Sequence, residues 1–224
     1  MVARDPVPLH SLTFSWAEER GRRERLPFTQ ERLLESVNES PCLNTTDRIA
    51  SLGWTNNRFQ RARKELEEHG HLETQELAKG AGRPDTHLVL TDKGFSCLRR
   101  LRVAEKRLHG SLEHHCAILR MESHFRSLGY ATEAIKKITP KLIVDLFCEK
   151  GDERGVVEVV ASNNLKRDAG KCAELAKRTS WIHLVATSRE LFDYYRARLG
   201  KELADSASEK VRVSFADELV SAER

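Results

Sequence analysis

Two carboxylates stand inside apolar runs on either side of a short turn, in the stretch LIVDLFCEKGDERGVVEVVAS (residues 142–162). If this stretch folds as a β-hairpin about Gly151 and Asp152, Asp145 and Glu158 are directly cross-strand and share one face of a sheet. Like charges held so close among apolar side chains are costly, so one must be protonated or a cation must bridge them. Because carboxylate oxygens suit Mg²⁺ or Mn²⁺, the pattern predicts a divalent metal that activates water for attack on a phosphodiester.

A structural explanation of the same acids stays open. Each carboxylate could bond a neighbouring Arg or Lys and take part in no chemistry. His114, His115 and Cys116 are adjacent on a predicted helix, where successive side chains point apart, so we do not expect them to share a metal. The five cysteines of the chain are scattered and never spaced as C-x-x-C, which favours reduced thiols over a disulfide framework or a zinc site.

The elements that must position these residues follow from the hydrophobic pattern of residues 110–224. Helices and strands alternate after the hairpin, which predicts an α/β layer built on a mixed sheet. The strands are apolar on both sides, so we expect helices to cover both faces of the sheet. In chain order the predicted elements are the helix SLEHHCAILRMESHFRSLG, the strands YATEAI, KLIVDLFCE and VVEVVAS, the helix NNLKRDAGKCAELAKRT, the strand WIHLVAT, the helix SRELFDYYRARLGKEL and the strand VRVSF.

The preceding part of the chain has a different pattern, with three short helices followed by two strands. The predicted helices are TQERLLESV, with Thr29 as its N-cap, NTTDRIASLG and TNNRFQRARKELEEHG. The strands HLETQEL and THLVLT flank the turn AKGAGRPD. The apolar positions expected to face inward recur at helical spacing: Leu33, Leu34, Val37, Ile49, Leu52, Phe59, Ala62 and Leu66.

A basic helix is predicted over residues 92–109, and Gly110 interrupts it. We place a domain boundary at that glycine, which gives an N-terminal arm (1–28), a helical domain (29–109) and an α/β domain (110–224). The formal net charge of the chain is only +4, but residues 55–108 contain twelve Lys or Arg against eight Asp or Glu. Such a surplus suits a face that binds a polyanion, although a solvated helix face explains it equally well.

The stretch TNNRFQRARKELEEHGHLE, followed by GRPDTHLVLTDKG, resembles the recognition helix and wing of bacterial winged helix-turn-helix proteins. The resemblance covers residues 29–95 and departs from the family at His87 and Leu88, where an aromatic residue often precedes Leu-Thr. It implies that the third helix enters the major groove of double-stranded DNA, whereas the alternative is that this helix contacts another protein. The residues that would read bases or bind phosphates are Asn56, Asn57, Arg58, Gln60, Arg61, Lys64, Lys79 and Arg83.

Residues 111–200 resemble the PD-(D/E)xK restriction-endonuclease-like fold. That family has a leading helix with an acidic residue, a strand bearing Asp, a turn, and a strand bearing Glu-x-Lys. The resemblance implies that Asp145 and Glu158 bind Mg²⁺ or Mn²⁺, with Glu113 and Glu133 as accessory acids. The whole two-part plan is also similar to that of plasmid replication-relaxation proteins and related mobile-element proteins.

The chain departs from the nuclease family at one position. Val160 stands two residues after Glu158, where the family has the lysine that orients the attacking water. Lys166 and Lys171 on the following helix are candidates to replace it. Without such a replacement the domain would keep two acids but lose turnover. The leading prediction is a double-stranded DNA-binding protein with a weakly active or degenerate nuclease-like domain, in plasmid or mobile-element maintenance or regulation. The alternatives are a Mg²⁺- or Mn²⁺-dependent DNA endonuclease that uses Asp145 and Glu158, and an interaction module of a multiprotein complex.

The composition limits the class of protein. With 39% hydrophobic and 32% charged residues, the chain is typical of a soluble globular protein, and it has no apolar run long enough for a transmembrane helix. Asp5, two prolines and His10 interrupt the apolar core that a signal peptide needs, so we expect a cytoplasmic protein without a membrane partner. The basic helix at residues 92–109 favours a homodimer that reads paired half-sites.

Overall fold

The computed structural model describes residues 26–77, 84–108, 110–203 and 205–216, which form a mixed α+β structure with two separate sheets. Most of the predicted arm (1–28) lies outside the described residues. So does the turn between the first two strands, with Lys79 and Arg83. The elements before residue 110 are α1 (Phe28–Glu39), α2 (Thr45–Leu52), α3 (Asn56–Glu68), β1 (Leu72–Leu77), β2 (Asp85–Leu90) and α4 (Asp92–Arg100).

Capping side chains set the starts of the second and third helices. The Asn44 side chain accepts a hydrogen bond from the Asp47 N–H, and Thr55 accepts one from the Arg58 N–H, so each satisfies a backbone donor in the first turn. Thr29 is not the N-cap that we predicted for α1, because that helix already begins at Phe28 with Pro27 as its N-cap. Pro27 offers no side-chain cap, and its backbone carbonyl accepts hydrogen bonds from the N–H groups of Gln30 and Glu31.

The predicted apolar stripes form one core across α1, α3, α4 and the antiparallel β1–β2 hairpin. Phe59 and Leu66 of α3 are fully buried in it, as predicted. Ile49 and Leu52 are only partly buried, and the most buried side chain of α2 is instead Arg48. Its guanidinium donates hydrogen bonds to the backbone carbonyls of Ser36, Ser40 and Leu43, which is what makes the burial of a charge tolerable.

The predicted basic helix over residues 92–109 is wrong beyond Arg100. Arg102 has a positive φ of 58°, which turns the chain out of the helical path. The segment that follows folds back on α1, where the Asn38 side chain donates to the Ala104 carbonyl and accepts from the Lys106 N–H. This tertiary contact replaces the last two helical turns, and it removes the long helix on which the expectation of a homodimer was based.

The second part of the chain builds a five-stranded mixed sheet in the order β3-β4-β5-β6-β7. The first three strands are antiparallel neighbours, and β6 and β7 continue the sheet in parallel. Its elements are α5 (Leu112–Ser127), β3 (Ala131–Thr139), β4 (Leu142–Lys150), β5 (Glu153–Val160), α6 (Leu165–Ala176), β6 (Trp181–Ala186), α7 (Arg189–Glu202), α8 (Asp205–Ser208) and β7 (Val211–Phe215).

Helices cover both faces of this sheet, as its apolar strands predict. On one face Met121 and Phe125 of α5 pack against Val157. On the other face Val156 and Val160 pack against α6 and α7. Alternate residues of β5 therefore face different helices, which places Glu158 on the α6 side of the sheet.

The part of the chain before residue 109 and the part after it have separate apolar clusters and are joined by a disulfide. Among the described residues, each apolar cluster draws on only one side of residue 109. A disulfide joins Cys42, between α1 and α2, to Cys116 of α5. The prediction that all cysteines are reduced is therefore wrong for this pair, since their separation of 74 residues gives no signal in the sequence. No helix in the described part of the chain has the length and apolar character needed to cross a bilayer.

Candidate active site

Asp145 and Glu158 line the same cleft of about 610 Å³, where β4 begins and β5 ends beside α6. The hairpin register has the predicted symmetry, with Lys150 opposite Glu153 and Leu146 opposite Val157. The ladder ends at this last pair, one position before the two acids. Their carboxyl groups therefore lie at the point where the backbone pairing of the two strands stops.

The Asp145 carboxylate is held by two donors. Its Oδ2 accepts a hydrogen bond from the backbone N–H of Val159 at 2.8 Å, and His114 Nε2 of α5 lies 3.2 Å from the same oxygen. Only 13% of the Asp145 side chain is exposed. Burial alone would raise its pKa, but the bonds from His114 and Val159 outweigh burial and hold the pKa below its usual value. Asp145 is therefore the more readily ionised member of the pair.

The Glu158 carboxyl has a different environment. Its side chain is 10% exposed, and Oε2 forms an ion pair with Lys171 Nζ of α6. Burial, and then repulsion from Asp145, raise its pKa to about 7 in spite of that lysine. Oε1 of Glu158 is buried and has no hydrogen-bond partner among the described residues. One carboxylate oxygen thus remains unsatisfied inside the protein, which is costly.

Lys171 is the lysine that reaches the acids. Val160, at the position where the nuclease family has its lysine, is buried in the apolar core below α6. Lys166 is exposed and does not line the cleft, although it lies on the same helix. The two lysines are five residues apart, about 140° around a helix, so only one of them can face the sheet.

The two predicted accessory acids are not in this cleft. Glu133 lies on the exposed surface of β3 and pairs with Lys136 at 2.8 Å. Glu113 is on α5 but is not among the residues that line the cleft. The neighbouring His114 faces Asp145 instead, a role that the sequence analysis missed. The adjacent Gly110 has a φ of 76° and lies against the His114 ring, where a Cβ would come within 3.1 Å of Nδ1.

A tyrosine outside the cleft bonds one of the residues that line it, Asp168. Tyr195 of α7 donates a hydrogen bond to Asp168 at 2.6 Å and accepts one from the Asn164 N–H at 3.1 Å. These bonds tie the β5–α6 connection to the helix layer. Lys141, before β4, and Arg167 of α6 are exposed and line the cleft, so cations stand on its rim as well as beside Glu158.

The side chains of the cleft meet only part of what a hard divalent cation requires of its ligands. Within the described part of the chain, no group of three or more His, Cys, Asp or Glu side chains is arranged to hold a metal ion. Asp145 and Glu158 nevertheless supply carboxylate oxygens, and Oε1 of Glu158 lacks a partner. Mg²⁺ is commonly bound by one or two carboxylates with water and substrate oxygens completing the shell, so these two acids are the residues that would hold it.

The predicted DNA-binding residues of α3 form a separate, exposed surface: Asn56, Asn57, Arg58, Gln60, Arg61 and Lys64. Arg61 and Lys64 pair with Glu65 and Glu68 one turn later, at 3.1 and 3.7 Å. Exposed pairs of this kind are weak, so they leave both cations available to phosphates. The Arg58 guanidinium lies over the Trp54 ring, 4.7 Å from its centroid, in a cation–π contact.

No family model matches this chain, and no curated protein matches it significantly.

Proposed function

We propose that the protein is a divalent-metal-dependent endonuclease acting on double-stranded DNA. One observation carries the proposal: Lys171 reaches Glu158 beside Asp145 in one cleft, although Val160 occupies the usual lysine position. The proposal assigns the five-stranded sheet to a restriction-endonuclease-like domain. It assigns α1, α2, α3 and the β1–β2 hairpin to a winged helix-turn-helix, with α3 in the major groove.

The residues of the cleft have distinct roles in this proposal. Asp145 and Glu158 are the residues that would hold Mg²⁺ or Mn²⁺, which would polarise the phosphodiester and lower the pKa of water. Asp145, kept ionised by His114 and the Val159 N–H, holds its oxygen in place for that ion. The Lys171 ammonium orients the attacking water and stabilises the negative charge that develops on the phosphate. Lys141 and Arg167 hold the neighbouring phosphates of the same strand.

Supercoiled plasmid incubated with Mg²⁺ or Mn²⁺ tests this activity. We expect conversion to open-circle and linear forms, abolished by chelation and in Asp145→Ala. Nicking that persists in Asp145→Ala would assign the activity to another site or to a contaminant.

A second candidate function is DNA binding without cleavage, in plasmid or mobile-element maintenance. It is favoured by the internal partners of the acids, since His114 bonds Asp145 and Lys171 neutralises Glu158 without any metal. A chain that shifts duplex DNA in a gel, but never nicks plasmid under any metal, supports this second function.

A further inference from the structure

Apart from the backbone, one covalent bond among the described residues joins the part of the chain before residue 109 to the part after it. This bond is the Cys42–Cys116 disulfide. The Cα atoms of the two cysteines are 5.4 Å apart, and the bond joins the α1–α2 connection to the second turn of α5. Because no apolar cluster in the described ranges spans residue 109, this bond is well placed to control how firmly the two parts are held together.

The Cys42 side of the bond is a fixed anchor. Buried Arg48 donates to the carbonyls of Ser36, Ser40 and Leu43 at 2.6, 2.8 and 3.0 Å, which clamps the backbone on both sides of Cys42. A displacement at the Cys42 sulfur is therefore passed to the backbone of α1 and the α1–α2 connection, because that backbone is held by hydrogen bonds. These bonds come from Arg48 and do not involve the sulfur atoms.

The Cys116 side leads directly to the candidate active site. Cys116 lies two residues after His114, which bonds Asp145. The next residues of α5, Ala117 and Ile118, pack against Val159, whose N–H is the other donor to Asp145. Any displacement of this end of α5 thus changes both contacts that hold the Asp145 carboxylate.

We propose that Cys42 and Cys116 form a reversible thiol switch, in which disulfide formation fixes α5 against the α1–α2 connection and reduction releases it. The co-reactant is a small disulfide of the glutathione class. The Cys42 thiolate attacks one sulfur of that disulfide and one small thiolate leaves. The Cys116 thiolate then attacks the Cys42 sulfur and displaces the second small thiolate. Two protein thiols are oxidised, the small disulfide is reduced to two thiols, and the two protons pass to the leaving thiolates.

The solvent exposure of the five cysteines explains why Cys42 reacts first and why the other three thiols do not take part. Cys42 is partly exposed, whereas Cys116 is only 3% exposed, so an external disulfide meets Cys42 first. The other three cysteines, Cys97, Cys148 and Cys172, are buried and unpaired. Burial also raises the pKa of the Cys148 and Cys172 thiols to about 12, which suppresses their nucleophilic thiolates.

The chemical part of the switch is tested on the full chain with glutathione. After incubation with oxidised or reduced glutathione, free thiols are alkylated with N-ethylmaleimide under denaturing conditions and the chain is weighed by mass spectrometry. We expect two fewer alkylated cysteines in the oxidised sample and their return in reduced glutathione. Cys42→Ser should abolish the difference, while Cys97→Ala, the matched control, should retain it.

Two results of that experiment would overturn the proposal. Equal alkylation of all cysteines in both buffers would show that the pair does not form a disulfide. A bond that forms but resists a large excess of reduced glutathione would be a permanent structural bond and not a switch.

The mechanical part is tested by limited proteolysis between residues 100 and 112 under the same two conditions. We expect cleavage to be severalfold faster in the reduced protein, and redox-independent in Cys42→Ser. Equal rates in the wild-type protein would refute the release of α5.

The effect on plasmid nicking rests on the proposed function, and there we expect a lower rate in the reduced protein. A chain that never nicks would count against the endonuclease alone, because alkylation and proteolysis do not depend on cleavage of DNA.

Discussion

Two glutamates of this molecule have the same kind of partner and opposite pKa shifts. Glu65 on α3 accepts from Arg61, and Glu158 in the cleft accepts from Lys171. The bonds from Arg61 and Gln30 lower the pKa of Glu65, whose side chain is 36% exposed. Burial raises the pKa of Glu158 to about 7. A cation alone does not make a reactive carboxyl, because the solvent that remains around the pair decides which charge state is favoured.

The same contrast separates the two surfaces that we assign to DNA. The cations of α3 stand in water, and their pairs with Glu65 and Glu68 contribute little. The His114, Asp145 and Glu158 side chains of the cleft are instead largely buried, so a change in any of them has a larger effect. The predictions below test this difference, beginning with the covalent bond that joins the two regions.

Loss of the disulfide should have the largest effect on stability. In the chain-entropy view, closing a loop of 74 residues stabilises the folded state by about 4 kcal/mol. The double variant Cys42→Ala, Cys116→Ala should therefore unfold at lower urea concentration than the oxidised wild-type protein. Reduced wild-type protein is the control and should resemble the variant. Identical midpoints for oxidised and reduced wild-type protein would contradict the prediction.

Lys171→Ala should lower the rate of plasmid nicking by about 10²–10³-fold, the usual effect of removing one preorganised charge-stabilising group. Lys166→Ala is the matched control, because it removes the same charge from the exposed side of the same helix. Its nicking rate should remain close to that of the wild-type protein. Equal losses in the two variants would mean that net charge, and not the position of Lys171, supports the activity.

The free energy of unfolding should depend on the protonation of Glu158. Because its pKa rises from 4.5 to about 7 on folding, the folded state holds a proton that the unfolded chain releases between these values. The stabilisation is fully present below pH 4.5 and is lost as pH rises through about 7, for a total of about 3 kcal/mol.

Glu158→Gln should remove this fall in stability, and Glu65→Gln should not. Urea denaturation at intervals across that pH range makes the comparison. An unchanged pH dependence in Glu158→Gln would show that the carboxyl is not held in its protonated form by burial.

The smallest effect is expected on the exposed helix. Arg58→Ala and Arg61→Ala should each weaken binding to duplex DNA by about 1 kcal/mol and reduce its salt dependence, as the loss of one phosphate contact does. Gel shifts at several salt concentrations measure both quantities. Arg32→Ala is a suitable control, because Arg32 lies on α1 and not on α3. There it forms a comparable exposed pair with Glu35 of the same helix. Salt-sensitive binding that is unchanged in both α3 variants would remove α3 from the interface.

Local patterns predicted much of the fold. The helical spacing of Leu33, Phe59 and Leu66 identified core positions, because periodicity reports which side of an element avoids water. The symmetry of the hairpin about Gly151 and Asp152 brought Asp145 and Glu158 into one cleft. Turn position and strand alternation are sufficient for that result, since both are properties of adjacent residues.

Patterns failed where distant residues meet. The end of α4 at Arg100 was missed because the segment after it is fixed by Asn38, more than sixty residues away. Arg48 was missed for a more local reason, since its burial depends on how the end of α1 and the α1–α2 connection direct the carbonyls of Ser36, Ser40 and Leu43 at its guanidinium. The disulfide and the contact of His114 with Asp145 are of the same kind as the Asn38 contact.

The amino-acid sequence by itself determined the order of most helices and strands and the hairpin register that brings the two acids into one cleft, because these depend on local interactions along the chain. Only the tertiary structure decided that Lys171 and not Lys166 meets Glu158, that His114 and not Glu113 meets Asp145, and that Cys42 meets Cys116. Each of these choices depends on the rotation and placement of a helix against a surface built from other segments. Packing fixes that placement, and no spacing along the chain encodes it.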